Sequence, residues 1–182
     1  MLKTAAAALL ALTLALPALA AEFRVPLRDR DYLVLDIPEG WRGEVHRPRA
    51  ELPPTVAISG PDAASLQILV TPIWPMGNAQ APTAQDIRRL VQGAADTIRP
   101  RAIEPELKLI DLGATGKVGY YFSATDRAPE PGGFKHLTQG AMGMGELRLT
   151  FTILINGEPA EPVAQALALL RSMRRASALK AL

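Results

Sequence analysis

The chain has 182 residues, with 20 Lys and Arg against 18 Asp and Glu, a formal net charge of +2 and no cysteine. Without cysteine there is no disulfide, no thiol nucleophile, no thiolate metal or iron–sulfur site, and no lipid anchor on an N-terminal Cys. The charges nearly balance and no basic stripe interleaves with aromatics, which argues against nucleic acid as a partner.

Residues 1–20 read MLKTAAAALLALTLALPALA. Lys3 gives a positive start, an apolar run follows over residues 5–16, Pro17 breaks the helix, and Ala18-Leu19-Ala20 is a small-x-small cleavage pattern. This predicts a signal peptide cleaved near Ala20, before Ala21, and a periplasmic or secreted product. The apolar run is shorter than the roughly 20 residues of a spanning helix. Residues 21–182 are then expected as one domain, large enough to bury a core without staples.

In chain order, an edge strand expected over residues 23–27 precedes a strand over 32–37, which Pro38-Glu39-Gly40 ends. Three prolines and alternating charges make residues 42–54 an exposed loop. Short runs at 55–59 and 66–73, joined by the Gly60-Pro61-Asp62 turn, predict a hairpin. Pro72 and Pro75 cannot donate to a ladder, which puts the end of the second strand at a sheet edge. Thr83 and Asp86 have the spacing of a capping box. The helix that follows carries Ile87, Leu90, Val91, Ala94, Ala95 and Ile98 on one face, until Pro100 stops it.

Strands are next expected over 107–112 and 117–125, with Val118, Tyr120, Phe122 and Ala124 sharing a face. Another covers 134–142, with a tight turn around Met144 between Gly143 and Gly145. The strongest strand is 147–155, where Leu147, Leu149, Phe151, Ile153 and Ile155 alternate with Arg148, Thr150 and Thr152; Leu154 breaks the polar face, so something covers that end. A last helix begins with Pro159 and Pro162 in its first turn. It carries Val163, Ala166, Leu167, Leu170 and Met173 inward, with Arg171, Arg174 and Arg175 near its end. Hairpins outnumber crossovers, which predicts an α+β domain: an α–β–α sandwich with a mainly antiparallel six- or seven-stranded sheet covered by two amphipathic helices.

The order of these elements, with Pro38-Glu39-Gly40-Trp41, Gly119-Tyr120-Tyr121, Gln139-Gly140, the alternating strand from Leu147 and a closing helix near Arg171-Ser172-Met173-Arg174, resembles the PsbP-like superfamily, including the bacterial periplasmic DcrB-like proteins. The resemblance covers roughly residues 30–175. It implies a sandwich around an antiparallel sheet and an accessory or binding role in place of catalysis, and carries no metal residues over.

The residues point to no reactive centre of a known pattern. His46 and His136 lack the companion ligands a zinc site needs. The serines stand in no G-x-S-x-G elbow. Ser123 and His136 can meet across a hairpin, which makes a hydrolase with a noncanonical site the alternative reading. Gly113-Ala114-Thr115-Gly116-Lys117 leads into a strand and reads as a turn, not a phosphate loop. No catalytic, cofactor or metal residue is assigned.

Two candidate partner-binding surfaces remain. One is the irregular segment with Trp74 and Met76; the other is Met142 and Met144 at the expected hairpin tip, since aromatic residues and Met favour recognition sites. The plainer role for Trp74 is to cover a sheet edge, and Trp41 is expected in the core. The partner is an envelope protein or a small ligand. Residues 171–180 form a basic tail that can touch anionic lipid, with a solvated helix end as the preferred reading.

Overall fold

The structure, a computed structural model, describes residues 21–27, 31–47, 49, 52–74 and 80–177. Among these, the elements run β1 (Ala21–Pro26), β2 (Asp31–Ile37), β3 (Arg42–His46), β4 (Thr55–Ser59), β5 (Leu66–Ile73), α1 (Ala84–Ile98) and a 3-10 turn (Arg99–Arg101). They continue with β6 (Ile110–Asp111), β7 (Val118–Thr125), β8 (His136–Met144), β9 (Leu147–Ile155), α2 (Ala160–Ser172) and β10 (Arg174–Ser177). Seven strands form one sheet in the order β3-β4-β5-β9-β8-β7-β6, and three form a second in the order β1-β2-β10. Every pairing is antiparallel.

Helix α1 begins as the capping box requires. Thr83 Oγ1 accepts from the Asp86 N–H at 3.2 Å, and the Asp86 carboxylate accepts from the Thr83 N–H at 3.0 Å. The hydrogen bonds from Thr83, with Arg89 adding less, hold the Asp86 carboxyl below its ordinary pKa. Ile87, Val91 and Ala95 point down onto Phe122 and Ala124 of β7 and Ala141 of β8. The main core lies on the other face of the large sheet. There Ile68, Val70, Leu149, Phe151 and Ile153 meet Ala166, Leu167 and Leu170 of α2 and Leu33, Leu35 and Ile37 of β2. The layers are therefore α1, the large sheet, and then α2 together with the small sheet. Strand β8 is buried on both faces, and its run of Gly140, Ala141 and Gly143 fits that position.

The α+β class and the large antiparallel sheet agree with the sequence reading, and several details are corrected. The large sheet has seven strands, within the expected six or seven, and a second, three-stranded sheet stands beside it among the described residues. Residues 42–46, expected in a loop, are β3. Its charged, exposed side chains suit an edge strand, where charge discourages further pairing. Strand β5 lies between β4 and β9, but its end at Pro72 is paired on the β9 side alone, as its prolines imply. The ladder to β4 ends at Val70, so no ladder bond on that side is lost at Pro72. The strand expected over 107–112 shrinks to two residues.

The last helix does not fray into a solvated end. It stops at Ser172, and β10 pairs with β2. Arg174 bridges Asp36 and Glu22, and Arg175 bonds Asp31, so these arginines are neutralised inside the fold; residues 178–182 lie outside the described residues. The Gly113–Lys117 segment is the expected turn, and it has a structural task. Lys117 Nζ donates to the carbonyls of Arg171 and Met173, closing the end of α2, and Arg171 Nε donates to the Leu112 carbonyl at 2.7 Å. Partial burial pushes the Lys117 ammonium below its usual pKa.

Candidate functional site

Alternation along β7 and β8 puts Ser123, Thr125, His136 and Thr138 on the face that looks toward α2. The register pairs Ser123 with Thr138 and Thr125 with His136. Ser123 Oγ lies 2.7 Å from Thr138 Oγ1, and Thr125 Oγ1 lies 3.2 Å from His136 Nδ1. Glu104 reaches in from the loop after α1 and accepts from the Thr125 N–H at 2.8 Å. Burial works to raise the Glu104 pKa, but the backbone and side-chain hydrogen bonds from Thr125, with help from the nearby His136, outweigh it. The carboxyl sits below its ordinary value.

These groups line an open cleft of about 270 Å³, with Pro159, Ala160 and Val163 at the start of α2 forming an apolar wall. The cleft offers hydroxyls, an imidazole and a carboxylate to a small polar molecule. It does not assemble a serine nucleophile. The hydroxyl that reaches His136 belongs to Thr125, while Ser123 is engaged by buried Thr138, so the base and the serine are not hydrogen-bonded as acyl transfer requires. The sequence assigned neither Glu104 nor Thr125 to a site. Thr125 was legible as a face-mate of Ser123, but Glu104 comes from irregular chain with no periodic signal.

The Met surface is a correction. Met142 is 0% and Met144 is 8% exposed, and both belong to the main core. Strand β8 runs two residues further than expected, to Met144, and the turn is Gly145–Glu146. Both Met side chains fall on the inward face, so neither is presented to a partner. Trp74 is half-buried against the main core. Met76 lies outside the described residues. Trp41, expected in the core, is also only half-buried, packed against the same cluster.

A different surface is open. Helix α1 covers β7 and β8, but the same face of β4, β5 and β9 is half-exposed. It carries Leu69 and Thr71 of β5, Thr150 and Thr152 of β9, and Thr55 of β4, whose hydroxyl lies 2.9 Å from that of Thr71. Leu90 of α1, 38% exposed, borders it. Arg148 stands on this face too, opposite Ile73, with its Nε buried and without a hydrogen-bond partner. Among the described residues no three Asp, Glu or His side chains group as a metal site needs.

The fold is similar to the solution structure of cyanobacterial PsbP (CyanoP) from Synechocystis sp. PCC 6803. The TM-score is 0.51 and the identity 13%, over 85% of this chain and 92% of that one. The likeness is one of fold, and the fold is PsbP-like. No protein-family model matches the sequence, and no curated protein does.

Proposed function

We propose that this chain is an exported, non-enzymatic accessory or binding protein of the cell envelope, a PsbP-like α–β–α sandwich of the DcrB-like kind. It presents sheet and loop surface to a protein partner or small ligand. The observation that carries this reading is the half-open face of the large sheet beside α1, where threonines, Leu69 and the half-exposed Arg148 share one surface. A guanidinium of this kind is a frequent anchor in protein interfaces. The PsbP-like fold supports an accessory role by analogy alone. Export is supported by the composition and pattern of residues 1–20.

Two measurements test the reading. Mass spectrometry of the protein from its native host is expected to give an N-terminus at Ala21, and a retained Met1 overturns export. A photo-crosslinker at Thr152, on the open face, is expected to give a discrete adduct in the intact envelope, with none from the same probe at Gln92 on the solvent side of α1. Equal adducts from both positions, or none from Thr152, count against the open face. Labelling of Ser123 by a fluorophosphonate would overturn the non-enzymatic reading.

A further inference from the structure

The turn between β2 and β3 builds a second feature, apart from the residues of the open face. The Trp41 N–H donates to the Pro38 carbonyl at 3.1 Å. Gly40 takes a φ of +79°, a left-handed conformation that a side chain disfavours. The turn leaves Glu39 exposed and sets Trp41 back against the core, half-buried. Opposite stands the outer side of α2, with exposed Gln165, Ala168 and Ser172. Between them runs an open groove of about 590 Å³, also lined by Asp36.

The charges of this groove are unequal in their engagement. Both Asp36 oxygens accept from Arg174 Nη1 at 2.9 Å, so that carboxylate is neutralised within the protein. Glu39 makes no ion pair or hydrogen bond through its carboxylate among the described residues, and the Trp41 indole N–H has no acceptor there. An indole beside an uncompensated carboxylate favours a cation, which gains from the ring quadrupole and from the charge together. The exposed Ala168 and the face of Trp41 give apolar surface that suits the methylene stem of a long basic side chain.

We infer that this groove docks a Lys- or Arg-bearing segment of a partner protein, with Trp41 and Glu39 as its two contacts. The inference rests on the binding-protein reading for its purpose but uses a different surface, so the two can fail separately. Strand β10 passes from opposite Val34 to opposite Asp31, so at Ser177 the chain is heading away from the groove.

The test is a two-dimensional amide spectrum of the protein without residues 1–20. The sequence has two tryptophans, so two indole peaks appear, and Trp41→Phe assigns them. A lysine-rich octapeptide is expected to shift the Trp41 indole peak saturably, while a glutamate-rich octapeptide leaves it in place. Glu39→Gln should weaken the lysine peptide by about threefold, as loss of one exposed charge pair implies, and high salt should do the same. Glu39 is exposed, so the variant's spectrum is expected to keep its dispersion. No shift with the lysine peptide, or an equal shift in Glu39→Gln, overturns the proposal. A Trp41 peak that moves with protein concentration alone, or on deleting residues 178–182, assigns the groove to this chain itself and overturns it too.

Discussion

Gly140 is the residue on which the packing of β8 turns. It pairs with Phe151 on one side and Tyr121 on the other. A Cβ there would lie 2.5 Å from Phe151 Cζ and 2.7 Å from Tyr121 Cβ, besides striking the Tyr120 carbonyl. The two aromatic side chains close over the space a side chain would take, and backbone on one side leaves little room to yield. Gly140→Ala is therefore expected to cost about 1–3 kcal/mol, read as a lower urea midpoint. Gly93, on α1 with nothing within 4 Å of a Cβ, is the control, and Gly93→Ala should not destabilise. Alternation placed Ser123 and His136 on one face. Which hydroxyl meets the imidazole depends on register, and the register gave it to Thr125.

At the scale of elements, α2 is fastened from outside itself. Its Pro159 start has no side-chain cap, and its end is closed by Lys117 from the β6–β7 turn. Lys117→Met keeps the stem but leaves the carbonyls of Arg171 and Met173 without their donor. A loss of about 1–3 kcal/mol is expected from such unpaired groups, measured by thermal denaturation at neutral pH, with faster amide exchange over the last turn of α2. Unchanged stability would mean that water satisfies those carbonyls equally well. Helix α1 was legible because its cap and its apolar spacing agree. Strands β3 and β10 were not, since both are short, charged edge strands whose pairing partners define them more than their own residues do.

At the scale of the whole molecule, the small sheet joins strands from the two ends of the described chain. Arg174 of β10 meets Glu22 of β1 and Asp36 of β2, and Arg175 meets Asp31. The hydrogen bond from Arg175, with a second from Ser177, holds the Asp31 carboxyl below its ordinary pKa, and the bond to Asp36 raises that of Arg174. A depressed carboxyl contributes stability that is present above its unfolded pKa of about 3.9 and lost as pH falls through the lower folded value. Below about pH 4 the urea midpoint should therefore fall, and Asp31→Asn should flatten part of that fall while starting from a lower midpoint at neutral pH. An acid profile identical to wild type would show that the pair does not support the sheet. By itself the sequence determined the α+β class, α1 with its cap and the alternation of β9, because each follows from local composition or a period of two or 3.6 residues. Only the tertiary structure decided the second sheet, the burial of Met142 and Met144, the partner of His136 and the faces left open. These depend on which distant strands pair and what then lies on top of them.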